Sequence, residues 1–100
     1  MDEYRNCESS YTTDEFDETI YGTAIVMIDD ARMTLHYEDD SFHCSEEWRG
    51  DFKDGAYHLL KFENGYSTGG SAMLKRIGGR VLAGTWAADG YSGEWNIVLK

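Results

Sequence analysis

The residues of this chain that could do chemistry are three histidines, a set of paired carboxylates and three tryptophans. His36 and His43 sit either side of Asp39-Asp40. If that dipeptide is a two-residue hairpin turn, the two imidazoles face each other on one surface of the sheet. Such a pair is the beginning of a zinc site or a pH-responsive contact, with Glu38 or Glu47 able to add a carboxylate. A catalytic zinc site needs a third protein ligand, which the spacing does not supply. The plainer account is two polar side chains on a sheet surface. His58, Asp51 and Ser71 supply the residue types of a nucleophilic triad, but such sites are defined by geometry, and nothing marks a nucleophile elbow at Ser71.

Glu46 and Glu47 precede Trp48, the inventory of a glycosidase. Adjacent strand residues point to opposite faces, so these two carboxylates cannot flank one bond. Glu46 is expected to face inward. A lone carboxylate there is costly, so it needs a buried base or a ligand. Gly69-Gly70-Ser71 and Gly78-Gly79-Arg80 lack the spacing and the following helix of a phosphate loop. Lys75, Arg76 and Arg80 gather around Gly78-Gly79 and form the one basic cluster, able to dock an acidic partner. Arg49-Gly50-Asp51 spells an integrin tripeptide, which matters only on an exposed extracellular loop. Asp29-Asp30 and Asp39-Asp40 lack the alternating oxygen ligands of a calcium loop and read as turn residues. No cofactor is expected.

One hundred residues make one domain, and 14% aromatic residues are enough for a packed core. Net charge is −10, unevenly spread. Residues 1–19 hold Asp2, Glu3, Glu8, Asp14, Glu15, Asp17 and Glu18 against Arg5 alone. That balance opposes nucleic-acid binding by bulk attraction and suits a basic protein partner. No apolar run of transmembrane length and no signal peptide is visible, so a cytoplasmic chain without membrane contact is expected. Cys7 and Cys44 are too few for a disulfide framework, and Cys44 reads as a small core residue.

The elements that must position these groups follow from the punctuation. Residues 1–18 are polar and acidic and are expected to be a flexible tail. From residue 19 to 100, Asp29-Asp30, Asp39-Asp40, Asp54-Gly55, Asn64-Gly65, Gly78-Gly79 and Asp89-Gly90 separate β-branched and aromatic runs, as type I′ turns require. The expectation is an all-β fold of about seven antiparallel strands in up-and-down order. Exposed edges are an aggregation hazard, which favours closure into a small barrel. About an Asp39-Asp40 turn, Arg32 pairs with Glu47, Leu35 with Cys44 and Tyr37 with Phe42. About Asp89-Gly90, Leu82 pairs with Ile97, Gly84 with Trp95 and Trp86 with Gly93. Each Trp then lies over a bare glycine across the ladder. Residues 20–28 are apolar on both parities and suggest a strand covered on both sides. Residues 56–63 suggest a bulge, and Gly69-Gly70 a barrel corner.

Gly84-Thr85-Trp86 resembles the Gly-x-Trp triplet of calycin-type barrels such as avidins and lipocalins. The resemblance covers three residues, near the C-terminal end of this chain.

Three functions are consistent with this reading. The leading one is a non-enzymatic protein-binding module that covers a basic surface, as monomer or dimer. Asp14, Glu15, Asp17 and Glu18 would steer the encounter, and Tyr66 and Tyr91 would anchor it. The second is a small-ligand barrel with Trp86, Trp95, Tyr37 and Glu46 around its interior. The third is an enzyme drawing on His36, His43, His58 and Glu46, which are not expected on one face.

Overall fold

Period-two alternation of inward apolar and outward polar residues runs through most of the chain and makes strands rather than helices. The computed structural model describes residues 1–39, 45–63 and 65–100, without the side chains of Phe16, Asp17, Asp39 and Ser45. Within these residues lie eight strands: β1 (Asp2–Thr13), β2 (Phe16–Ile28), β3 (Arg32–Asp39), β4 (Ser45–Lys53), β5 (Ala56–Glu63), β6 (Tyr66–Arg76), β7 (Val81–Ala88) and β8 (Tyr91–Val98). Every strand pairs antiparallel with its neighbour in sequence, and β1 also pairs with β8, closing an up-and-down barrel. The expected architecture is therefore observed, with one strand more.

The additional strand is β1, from the segment expected as a tail. Its inward residues are Tyr4, then Cys7, Ser9, Tyr11 and Thr13, because a bulge at Arg5-Asn6 shifts the pairing between Tyr4 and Cys7. Asn6 takes φ 58°, which asparagine tolerates better than most residues. Both features hide the strand: the bulge switches parity, and two inward positions are hydroxyl residues. Ser9 is buried, yet its Oγ accepts a hydrogen bond from the Trp95 indole at 2.8 Å.

Register explains the rest. The β7–β8 hairpin pairs Leu82 with Ile97, Gly84 with Trp95 and Trp86 with Gly93, as expected. Asp89 and Gly90 take φ 55° and 83°, the two left-handed residues of a type I′ turn. The β3–β4 hairpin differs. Arg32 pairs with Asp51, His36 with Glu47, Leu35 with Trp48 and Tyr37 with Glu46. The connection is thus longer than the two-residue turn, and Phe42, His43 and Cys44 lie outside the described residues. The shift is even, so inward and outward faces are preserved. It also places Met33 opposite Gly50 instead of Glu46. Arg49-Gly50-Asp51 is interior to β4 and not a loop.

The remaining expectations divide. A bulge does interrupt the β5–β6 pairing between Leu60 and Phe62, but its extra residues are on β6, where Thr68, Gly69 and Gly70 stand against Lys61 alone, and β5 keeps its alternation from Tyr57 to Lys61. β2 is not covered on both faces: Ala24, Val26 and Ile28 are buried, Ile25 and Met27 are half-buried, and Tyr21 is 65% exposed. Gly50, Gly84 and Gly93 let neighbouring strands coil tightly, since a Cβ on them would stand 1.7–1.8 Å from the carbonyl oxygen of His58, Met73 or Thr12.

The apolar core fills one end of the barrel with Val26, Ile28, Met33, Leu35, Leu59, Leu74, Leu82, Ile97 and Leu99. Tyr57 donates to the Asp29 carbonyl at 2.6 Å there. Glu3, Arg5, Glu8, Arg32, His36, Arg49, Lys75 and Glu94 project outward. This is the reverse of the apolar-out pattern of a membrane barrel. Among the described residues no helix is long and apolar enough to cross a membrane.

Candidate ligand cavity

The opposite end of the barrel is not filled by its own side chains. An eight-stranded barrel is just wide enough either to pack its interior or to hold one small molecule. Here the inward residues change from aliphatic to aromatic and charged, and a cavity of about 410 Å³ opens. Tyr11, Tyr37, Trp48, Trp86 and Trp95 wall it, together with Glu18, Ile20, Glu46, Lys61, Asp89 and Tyr91. That volume falls within the ~300–1,000 Å³ common for small-molecule sites. The cavity reaches solvent beside Asp89, whose side chain is 72% exposed, and Tyr91.

Five rings form a continuous edge-to-face run. Trp86 meets Tyr11 at 5.3 Å between centroids, Tyr11 meets Tyr37 at 5.9 Å, Tyr37 meets Trp95 at 5.9 Å, and Trp95 meets Trp48 at 5.1 Å. Such contacts fix ring orientation beyond what area burial gives. Each indole is also tied by its N–H. Trp95 donates to Ser9 Oγ, Trp86 to the Thr12 carbonyl at 3.0 Å, and Trp48 to Glu46 Oε1 at 3.2 Å. Trp86 reaches Thr12 across the Gly93 backbone, which is why its cross-strand partner carries no side chain. Two of these three bonds end on β1, so closure by β1 holds the aromatic wall in place.

The polar part of the wall is built around Lys61. Inward alternation along β5 runs Tyr57, Leu59, Lys61, which leaves a lysine only 5% exposed. Its Nζ lies 2.8 Å from Glu46 Oε2, 3.4 Å from Asp89 Oδ2 and 3.8 Å from Glu63 Oε1. Burial works against the ammonium. The hydrogen bond and charge of Glu46, together with Asp89, outweigh it and leave the Lys61 pKa raised. Lys61 is therefore a fixed cation and not a nucleophilic amine. The β5–β6 bulge makes room for it: a Cβ on Gly70 would stand 2.9 Å from the Cβ of Lys61.

All four residues expected around an interior ligand, Trp86, Trp95, Tyr37 and Glu46, line this one cavity. Glu46 has the buried base that its inward position demanded. The sequence reading missed Lys61 and Tyr11, took Trp48 only as the neighbour of Glu46 and Glu47, and took Asp89 only as a turn residue. The signal for Lys61 was its parity with Tyr57 and Leu59, which a lysine at an inward position makes easy to dismiss. The residues expected at a protein interface scatter. Glu18 and Tyr91 line the cavity, and Asp14 accepts a hydrogen bond from Ser92 at 3.0 Å on the β1–β2 turn. Glu15 is exposed on that turn, and Tyr66 is 77% exposed after the β5–β6 turn. The Asp17 side chain lies outside the described set.

The histidines do not converge. His36 is outward, with Nε2 3.6 Å from Glu47 Oε1, and His43 is outside the described residues. Among the described residues no group of three or more His, Cys, Asp or Glu is placed to hold a metal. His58 pairs with Asp51 and Met73 rather than facing Ser71, and its ring contacts the Lys53 carbonyl at 2.9 Å. Cys7 is a buried free thiol.

No protein-family model, curated protein or solved structure matches the chain.

Proposed function

We propose that this barrel binds a small organic molecule in the aromatic cavity and is not organised for catalysis. The observation that carries the reading is a cavity of about 410 Å³ whose five aromatic walls are each oriented by ring contacts or an indole hydrogen bond. A site pre-formed in this way binds without first ordering its walls. The ligand that fits has a flat apolar body against the rings and a polar end toward Lys61, Glu46 and Asp89.

The test is titration of the purified protein with a small-molecule fragment library, read by tryptophan fluorescence. Saturable shifts in emission are expected for flat aromatic compounds. Those shifts should be weakened by Trp86→Leu, which strips the half-buried wall. Emission that no compound perturbs would count against the reading.

A second reading, occlusion of a basic protein surface, rests on the net charge of −10 and on Tyr66 and Tyr91 exposed as ready anchors. It predicts that a basic protein partner binds equally well after Trp86→Leu and less well after Tyr66→Ala. Loss of binding on Trp86→Leu alone would favour the cavity.

A further inference from the structure

We infer that the cavity selects a cationic ligand, a protonated amine carried on a flat aromatic body. This inference rests on the reading of the cavity as a ligand site and adds the charge of what it takes. Lys61 is the one cationic side chain among the described residues that line the cavity, against Glu18, Glu46 and Asp89, with Glu63 3.8 Å from its Nζ. Its ammonium has its donors directed at Glu46 and Asp89, at 2.8 and 3.4 Å, and is 6% exposed. It has little left to offer an anion. Both Glu46 oxygens are used, Oε1 by the Trp48 indole and Oε2 by Lys61.

The charge left over lies on Asp89 and Glu63, which are 72% and 56% exposed, and on Glu18. Asp89 and Glu18 line the cavity, Asp89 where it reaches solvent, and Glu63 stands behind them against Lys61. An amine entering there meets an excess of negative charge at its polar end and aromatic faces at its apolar end. Ring faces themselves attract cations. A carboxylate ligand of the same shape meets repulsion at the rim and a lysine already occupied. The internal ammonium of Lys61, held against Glu46 beside Trp48, is a tethered example of the same recognition.

The experiment is isothermal titration of the intact protein with three probes that share one ring system: tryptamine, 3-methylindole and indole-3-acetate. Tryptamine is expected to bind at least about tenfold tighter than 3-methylindole, and indole-3-acetate more weakly than either. Asp89→Asn should lower tryptamine affinity several-fold and 3-methylindole affinity by a clearly smaller factor. Asn-Gly suits the type I′ turn as well as Asp-Gly, so this variant keeps the hairpin. Glu63→Gln is the second variant with the same expectation. Indole-3-acetate binding as tightly as tryptamine, or tryptamine affinity indifferent to both substitutions, would overturn the inference and leave the ligand cavity standing. No binding of any of the three probes would remove the cavity reading with it.

Discussion

Lys61 is where the residue scale decides most. Burial of a lysine that is 5% exposed works against its charge, and Glu46 and Asp89 outweigh it, with Glu63 3.8 Å away. Glu46→Gln removes one charge from that arrangement and is expected to cost about 1–3 kcal/mol, measured by urea unfolding at neutral pH. The pH dependence has a definite sign. The folded-state pKa of Lys61 is raised above 10.5, so its stabilisation is fully present below that pH and is lost as pH rises through the folded value. Burial also raises the Tyr57 pKa above 10.0, which lowers stability in the same alkaline range. Comparison of the two proteins isolates Lys61: Glu46→Gln should show a shallower alkaline loss than the parent. Glu46 was legible in the sequence because an inward carboxylate demands a partner. The partner was not, because which inward position of β5 comes beside Trp48 depends on the β4–β5 register.

At the element scale, glycine sets how tightly the strands coil. Gly84 and Gly93 face Trp95 and Trp86, and a Cβ on either would strike the backbone of the next strand. Gly93→Ala and Gly84→Ala are each expected to destabilise by about 3 kcal/mol, the upper end for overpacking, in thermal unfolding. Gly55→Ala meets nothing within 4 Å and bears only the strain of φ 85°, about 1 kcal/mol. The β7–β8 register could be read in advance because Asp89-Gly90 is a two-residue turn and two Trp–Gly pairs agree with it. The β3–β4 register could not. Asp39-Asp40 has no glycine, and an even shift preserves which residues face inward, so the apolar pattern does not discriminate between the two registers. β1 escaped for another reason: its bulge at Asn6 changes parity, and Ser9 and Thr13 occupy inward positions.

Across the whole molecule, closure by β1 links fold and cavity. Ser9 and Thr12 accept the hydrogen bonds of Trp95 and Trp86, and β1 joins β2 to β8. A dispensable tail would leave the remaining domain folded and monomeric when removed. Deletion of residues 1–13 is instead expected to abolish cooperative thermal unfolding and to expose the β2 and β8 edges to association, visible in size-exclusion chromatography. The up-and-down barrel was legible from turn spacing and from the hazard of open edges. The division of its interior was only partly so. Aliphatic and aromatic residues alternate inward equally well, and only the three-dimensional stacking places the aromatic ones together at one end.

Whether this end of the barrel holds a small molecule can be read from the three tryptophan indole N–H signals in proton–nitrogen NMR spectra during titration with tryptamine. Trp48, Trp86 and Trp95 are expected to shift together, saturably and with one dissociation constant, while amides of Ile28, Leu59 and Leu74 at the packed end stay still. Indole signals that do not move, or shifts confined to outward residues such as Leu60 and Met73, would contradict it.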